Sequence, residues 1–156
     1  MPPRHHRALA LSAVTFRIEA ATEPTAELEG AMASLMPQLN PALTGPGRAQ
    51  LAAVLADPAT TLLVVVDGDA IIGTATVIVY TTPAWTKARI EDVVVDNGAR
   101  GRGVGEALIK ECVNVARQHG ARMVELQSAR RREAANRLYP RLGFELRDSN
   151  VYRLTL

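Results

Sequence analysis

The chain contains a glycine-rich hexapeptide, Arg-Gly-Arg-Gly-Val-Gly at positions 100–105, between two runs of different periodicity. The run before it, Ile90 to Val95, is typical of a strand, and the run after it, Glu106 to His119, has the amphipathic spacing of a helix. A strand that turns through glycines into a helix leaves several backbone N–H groups unpaired, with the positive end of the helix dipole behind them. This hexapeptide, which we call the cradle, is therefore suited to hold phosphate.

The residues of the cradle exclude two common phosphate-binding motifs. A Walker motif would end in Gly-Lys-Ser/Thr, and a dinucleotide fingerprint would read Gly-x-Gly-x-x-Gly after the first strand. The cradle instead reads Arg-x-x-Gly-x-Gly and follows the fourth predicted strand.

Length and composition indicate one folded domain. The chain has 156 residues, of which 47% are apolar, which is enough to bury one core. We predict a single domain at 14–156, preceded by a flexible basic extension at 1–13 that contains Arg4, His5, His6 and Arg7.

Charge, aromatic content and cysteine usage limit the classes of partner and the compartment that we expect for this chain. A net charge of +2 and 4% aromatic residues argue against a nucleic-acid partner. No apolar run reaches the roughly 18 residues of a membrane span, so we expect no membrane partner. Cys112 is the one cysteine and has apolar helical neighbours, which predicts a small buried hydrophobe. We therefore expect no disulfide framework, no metal site and a cytoplasmic location.

Spacing along the chain predicts the element order β-α-α-β-β-β-α-β-α-β-β, an α/β (α+β) arrangement. Short links favour antiparallel pairing, and the helix after the cradle favours a parallel crossover between the fourth and fifth strands. The last two strands are predicted at Phe144–Arg147 and Val151–Leu154, as a hairpin.

A second motif, Glu-Ala-Ala-Asn-Arg-Leu-Tyr-Pro-Arg-Leu-Gly-Phe, occupies positions 133–144. Together with the cradle it resembles the GCN5-related N-acetyltransferases (GNAT superfamily). In that family a strand ending in Val precedes Arg/Gln-x-x-Gly-x-Gly/Ala, and a later helix carries Ala-x-x-x-Tyr and closes with Leu-Gly-Phe. The matching residues are Val95, Arg100, Gly103, Gly105, Ala135, Tyr139, Leu142, Gly143 and Phe144. The resemblance implies a GNAT fold, with a mixed, mostly antiparallel sheet of six to seven strands flanked by about four helices.

The resemblance also implies acetyl-CoA (coenzyme A) as co-substrate, with no metal. Glycines let a pyrophosphate approach the backbone closely, and arginine side chains add charge. Main-chain groups of the fourth strand, which bulges and splays from the fifth in the family, would pair with the pantetheine amides and polarise the thioester carbonyl. The implied cofactor-binding residues are Val93, Val94, Val95, Arg100, Gly101, Arg102, Gly103, Val104, Gly105 and Asn136.

Two positions near the second motif stay open. Many members carry an asparagine seven residues before the tyrosine, where this chain has Arg132, and Asn136 lies three residues before it. Which of them contacts the cofactor is undecided. The run Arg130–Arg132 is either a solvated charge run or a contact to the outer phosphate of the cofactor.

Direct attack of an amine on a thioester requires a proton acceptor, because an unperturbed amine with a pKa of about 10.4 is mostly protonated at neutral pH. Glu91 is the candidate base, since alternation places it on the strand face of Val93, and family members often have a glutamate on this strand. Asp92, on the opposite face, is the second choice. Tyr139 occupies the position of the family's general acid. The segment Ile90–Val95 is similar to that of glucosamine 6-phosphate N-acetyltransferases.

These residues predict an acetyl-CoA-dependent N-acetyltransferase that acts on a primary amine of a small molecule. The alternatives are a protein lysine or N-terminal acetyltransferase and a non-catalytic acyl-CoA-binding sensor module. We expect the residues that choose the acceptor in loops 38–48 and 81–87 and in the final hairpin. Relatives also suggest a homodimer formed through the C-terminal strands.

Overall fold

The computed structural model describes residues 15–156, so the extension predicted at 1–13 lies outside the described residues. The observed order confirms the predicted one as far as the fourth helix. In chain order the elements are β1 (Phe16–Ala20), α1 (Ala26–Leu39), α2 (Arg48–Ala56), β2 (Thr60–Asp67), β3 (Ala70–Thr81), β4 (Thr86–Val95), a 3₁₀ turn (Asn97–Ala99), α3 (Val104–Gln118), β5 (Val124–Leu126) and α4 (Glu133–Arg141).

The strands form one sheet in the order β1-β2-β3-β4-β5. The first four strands pair antiparallel through short connections, and β5 pairs parallel to β4 after the α3 crossover, as predicted. β2 lies near the middle and its sequence Leu-Leu-Val-Val-Val is buried throughout. A continuous apolar run of this kind is typical of a strand that is covered on both faces.

Two apolar clusters cover the two faces of the sheet. The first joins inward residues of β2, β3 and β4, such as Leu63 and Val77, to the apolar stripe of α3, which includes Leu108 and Cys112. The second joins the other face of β2 to α1 and α2 through residues such as Met32. The sheet therefore separates an α3 side from an α1/α2 side.

Local capping and spacing explain where α1 begins and which face it buries. Thr25 precedes the helix with extended backbone angles, and its hydroxyl accepts a hydrogen bond from the N–H of Leu28 at 3.2 Å. Leu28, Met32 and Leu35 recur at helical spacing and are buried against the sheet. None of the helices described in residues 15–156 is long and apolar enough to cross a membrane.

The predicted C-terminal hairpin is wrong for the single chain. Residues 145–156 form neither strand nor helix, so the sheet has five strands instead of six to seven. The alternating pattern that predicts a strand needs a partner edge, and β5 contributes only three residues to the edge of the sheet. Leu146, Val151, Tyr152, Leu154 and Leu156 are exposed.

Candidate active site

The centre of the candidate site is a bulge in β4. Thr76 pairs with Glu91 and Thr74 pairs with Val94, which leaves two residues of β4 opposite Ala75 alone. One of the two, Asp92, has a φ of 51°, a left-handed conformation that is uncommon for a residue other than glycine. A bulge of this kind redirects the side chains that follow it.

The bulge corrects the predicted orientation of Glu91 and Asp92. Ala88 and Ile90 pack in the α3-side cluster, and beyond the bulge Val93 and Val95 pack there too, so the alternation changes parity between Ile90 and Val93. Glu91 therefore does not share a face with Val93. Asp92 does not point away from the candidate site, contrary to what alternation predicts. It lines two cavities, together with residues of α1, α2 and α4.

β4 separates from β5 just before the bulge, and the predicted splay between these strands is present. The two strands pair only between Ala88–Ile90 and Val124–Leu126. The edge of β4 from Glu91 onward then faces a cavity of about 160 Å³. The residues that line this cavity, which we call the cleft, are Leu39, Ile90, Glu91, Asp92, Val93, Leu126, Gln127, Arg132 and Tyr139.

The cradle presents unpaired donors next to this strand. None of the backbone N–H groups from Arg100 to Glu106 donates a hydrogen bond to another residue in the described part of the chain, and the first that does is that of Ala107, to the carbonyl of Gly103 at 3.1 Å. Gly101 and Gly103 both have a φ of 77°, and a Cβ added to either would meet nothing within 4 Å. The cradle therefore fits a pyrophosphate, which needs several converging donors and close backbone approach.

α1 supports the start of the cradle through Gln38. The side-chain amide donates to the Asp96 carboxylate at 2.9 Å, and its oxygen accepts from the N–H of Asn97 at 2.9 Å. Asp96 also accepts from the N–H of Gly98 at 2.9 Å, which holds the 3₁₀ turn. These contacts tie the end of α1 to the segment between β4 and the cradle.

The two arginines of the cradle differ in their surroundings. The guanidinium of Arg102 lies 2.8 Å from the Asp67 carboxylate at the β2–β3 turn and donates to the Thr15 hydroxyl at 3.3 Å. Arg100 is exposed and makes no ion pair with the described residues. The charge of the Arg100 side chain is therefore available for a phosphate, whereas the guanidinium of Arg102 is already paired with Asp67.

α4 places Tyr139 in the wall of the cleft. The residue is 8% exposed, and its ring packs edge-on against Phe144 with centroids 5.8 Å apart. Burial raises the pKa of the Tyr139 phenol above its usual value, although the nearby Arg132 acts in the opposite direction. The phenol therefore holds its proton at neutral pH, as a general acid must.

Glu91 and Asp92 both line the cleft but have different partners. Glu91 forms an ion pair with Arg89 on the same strand. Asp92 remains accessible through the cavities, and its pKa is raised, first by partial burial of the carboxyl and second by repulsion from Glu91. The two neighbouring carboxylates thus differ in their surroundings, since Glu91 is paired with a guanidinium and Asp92 has a raised pKa.

Arg132 and Asn136, which the sequence left undecided, have separate contacts. The guanidinium of Arg132 donates to the carbonyl of Val93 at 3.2 Å, inside the cleft. The amide of Asn136 donates to the carbonyl of Ala129 at 3.0 Å and makes a longer contact to that of Arg130. Asn136 therefore stabilises the loop before α4, and its contact with a cofactor stays a prediction.

A second cavity, of about 410 Å³, lies on the α1/α2 side of the sheet and shares Asp92 with the cleft. The loop between α1 and α2 forms part of its wall, and the role of loop 38–48 in choosing the acceptor stays a prediction. Residues 81–87 line neither cavity. Trp85 packs on Arg122, with its ring centroid 4.2 Å from the guanidinium carbon.

Cys112, within α3, and His119, at the C-terminal end of that helix, have structural surroundings. Cys112 lies on the buried face of α3, and burial raises the pKa of its thiol to about 12, which leaves the thiol unreactive. Nδ1 of His119 lies 2.9 Å from the carbonyl of Val115 at the end of α3. Among residues 15–156 no cluster of three metal-ligating side chains is present.

Residues 26–144 match the family described as Acetyltransferase (GNAT) family. The chain belongs to this GNAT family. The match runs from the start of α1 through the cradle to Phe144, and so includes the bulge, the cleft and Tyr139.

Named proteins and a solved structure are similar to this GNAT chain. The glucosamine 6-phosphate N-acetyltransferase of Trypanosoma brucei brucei is 35% identical over 84 residues, 52% of this chain and 55% of that protein. The streptothricin acetyltransferase of Streptomyces lavendulae is 35% identical over 103 residues, 64% of this chain and 52% of that protein. A putative acetyltransferase from Agrobacterium tumefaciens superposes with a TM-score of 0.77 at 26% identity, over 90% of this chain and 99% of that one. The chain thus spans about half the length of these two named relatives.

Sequence reasoning missed one contributor to the site, Gln38, and left a second, Arg132, undecided. The sequence predicts a loop at 38–48, whereas α1 continues through Pro37 to Leu39. The contact of Arg132 with Val93 joins residues 39 positions apart, and no local pattern encodes it. The position of Arg132, seven residues before Tyr139, was the available signal.

Proposed function

We propose that this protein is an acetyl-CoA-dependent N-acetyltransferase that transfers the acetyl group to a primary amine of a small molecule. The observation that carries the proposal is the cradle of unpaired N–H groups at the end of β4, whose free edge forms a cleft with a protonated Tyr139. A Cβ at Gly105 would lie 3.8 Å from the side chain of Val95 and 3.9 Å from that of Leu138. The start of α3 therefore packs closely against both β4 and α4. The names of two relatives, which refer to a sugar amine and to streptothricin, support an amine acceptor.

The donor would lie along these elements in order. The pyrophosphate would accept hydrogen bonds from the backbone of Arg100 to Gly105, with charge from the Arg100 side chain. The pantetheine arm would run along the free edge of β4 at Val93 to Val95. Because a carbonyl has two lone pairs, the bond from Arg132 leaves Val93 able to accept a second hydrogen bond.

Acetyl-CoA supplies the thioester, so the neutral amine nitrogen forms the new C–N bond as the C–S bond breaks, giving an amide and the CoA thiol. An acceptor that binds as an ammonium releases one further proton before attack. Glu91, directly or through water, would accept the proton that the attacking amine loses. A main-chain N–H near Val93 or Val94 would stabilise the negative charge on the carbonyl oxygen. Tyr139 would donate its proton to the departing sulfur.

The experiment compares thermal unfolding with and without acetyl-CoA in the wild type and two matched variants. Acetyl-CoA at about 100 times its Kd should stabilise the wild type by roughly 2.7 kcal/mol, and NAD and ATP should not. Gly103→Asp should remove the effect, because it places a carboxylate in the cradle. Gly120→Asp should retain it, since that glycine has nearly the same φ, 79°, at the other end of α3.

Equal stabilisation of both variants would mean that the cradle does not hold the donor. Stabilisation without thiol release for any amine or peptide would instead favour the sensor module. Acetylation of peptides alone would favour the protein acetyltransferase.

We also propose a cytoplasmic homodimer. The single cysteine, unpaired and buried, suits a reducing compartment. Tyr152, Leu154 and Leu156 alternate with polar residues and are exposed, and the outer edge of β5 has no strand beside it among residues 15–156. A second copy could pair its C-terminal segment with that edge and cover these side chains.

A further inference from the structure

The larger cavity is placed to hold the acceptor, and its position rests on the proposed function. Asp92 is the residue that lines both this cavity and the cleft that contains Glu91 and Tyr139. A molecule in the larger cavity would therefore present one group at the bulge, next to where a thioester in the cleft would lie. Its volume of about 410 Å³ is in the range of small-molecule sites.

Most of the wall of this cavity is apolar, and its polar side chains besides Asp92 are Thr44, Gln50, Thr74 and Thr76. Met32, Met36, Leu51, Val54 and Leu62 come from the helices and from β2, and Leu43 closes the outer side at 39% exposure. Such a surface favours a hydrocarbon body, because each buried CH₂ contributes about 0.8 kcal/mol.

Charge on the wall is limited to one group. Asp92 is the single ionisable side chain among the lining residues, and no lysine, arginine or histidine belongs to them. Arg48, the first residue of α2, instead approaches Glu29 with an N–O distance of 3.7 Å. One carboxylate and no cation match one ammonium group and no phosphate.

The single carboxylate belongs to the bulge of β4. Asp92 occupies the bulge with its positive φ, and the neighbouring Thr74 is 1% exposed, with its hydroxyl donating to the carbonyl of Leu63 at 2.9 Å. The raised pKa of Asp92 is consistent with a group that receives a proton from a bound ammonium.

We infer that the acceptor is a small primary monoamine on an apolar body, with its amino group held by Asp92 and its hydrocarbon part by the α1–α2 wall. In the reaction the ammonium gives one proton to the Asp92 carboxylate before attack, and that proton passes to solvent after the amide leaves. As the C–N bond forms and the C–S bond breaks, Glu91 takes the second proton from nitrogen and Tyr139 gives its proton to sulfur. The proton on Glu91 then replaces, through solvent, the one that Tyr139 gave.

The test measures kcat/KM by thiol release from acetyl-CoA with four amines. Hexylamine and 2-phenylethylamine should exceed glucosamine 6-phosphate and spermidine by at least about tenfold. Equal or faster turnover of either polar amine overturns the inference while the proposed function stands, and turnover of none of the four overturns it as well. Absence of acetyl-CoA-dependent stabilisation would overturn the proposed function itself.

Variants separate the two parts of the cavity. Asp92→Asn should lower kcat/KM for hexylamine by about 10²-fold and keep the stabilisation by acetyl-CoA. Leu43→Ala should raise KM for hexylamine roughly tenfold and leave that for ethylamine unchanged. Leu55→Ala, the same change on α2 outside the wall, is the control. Unchanged kinetics of Asp92→Asn, or equal effects of the two leucine variants, would overturn the inference.

Discussion

Burial raises the pKa of Tyr139, so the phenol keeps its proton well above neutral pH. The phenol sits between the sheet and α4 with a raised pKa, and its ring is held by Phe144. A tyrosine in this state donates a proton more readily than it accepts one, which suits a departing thiolate.

Tyr139→Phe should lower kcat by about 10²-fold, the lower end for general acid catalysis, because a thiolate is already a good leaving group. The ring contact with Phe144 persists, so the unfolding midpoint and the affinity for acetyl-CoA should stay near wild type. Steady-state thiol release and thermal unfolding measure the two effects.

Phe144→Leu is the matched control, since it alters the ring contact and keeps the hydroxyl. It should lower the free energy of unfolding by about 1 kcal/mol with little change in kcat. If this variant lost as much kcat as Tyr139→Phe, packing of the ring rather than its proton would explain the role of Tyr139.

At the scale of a single element, the loop after α1 depends on one close backbone contact, between Gly45 and Ala33. Gly45 has a φ of 86°, and a Cβ there would lie 2.7 Å from Cα of Ala33. The loop that carries Leu43 is therefore pressed against α1, and only glycine allows this approach.

Gly45→Ala should lower the free energy of unfolding by about 2–4 kcal/mol, from backbone strain plus displacement of the loop. Gly68→Ala, at a positive φ with open space around it, should cost about 1 kcal/mol from strain alone. Urea unfolding of the two variants makes the comparison. Similar losses would show that the contact with Ala33 contributes nothing.

Local patterns predicted most elements, and pairing between strands explains the failures. The cradle and α3 follow from glycines and helical spacing within one stretch of chain, so the sequence locates them. The bulge at Asp92 depends on how β4 aligns with β3, which no residue of β4 encodes alone. Alternation counted along β4 therefore put Glu91 and Val93 on one face, and the structure puts them on different faces.

At the scale of the whole molecule, the C-terminal segment has strand-like sequence without a strand partner. Tyr152, Leu154 and Leu156 form a row of large exposed side chains on the single chain. The same segment would complete the sheet if a second copy supplied or received it, so fold and assembly are linked here.

The full chain should elute in size-exclusion chromatography with light scattering at twice the mass of one chain, 16.8 kDa. Tyr152→Asp combined with Leu154→Asp should give monomers, since it charges the alternating face, and Thr155→Asp on the other face should leave the dimer intact. A monomeric wild type would contradict the proposed assembly.

The hydrogen bonds of Gln38 have a consequence for how new acceptor preferences could be engineered. Gln38 and Asp92 both connect β4 and the turn after it to the α1/α2 side of the sheet. Residues 40–47 lie between the Gln38 anchor and α2 and reach the cavity without contributing to the cradle. Exchange of this eight-residue loop should therefore change which amine is acetylated, while the cradle and β4 keep their affinity for acetyl-CoA.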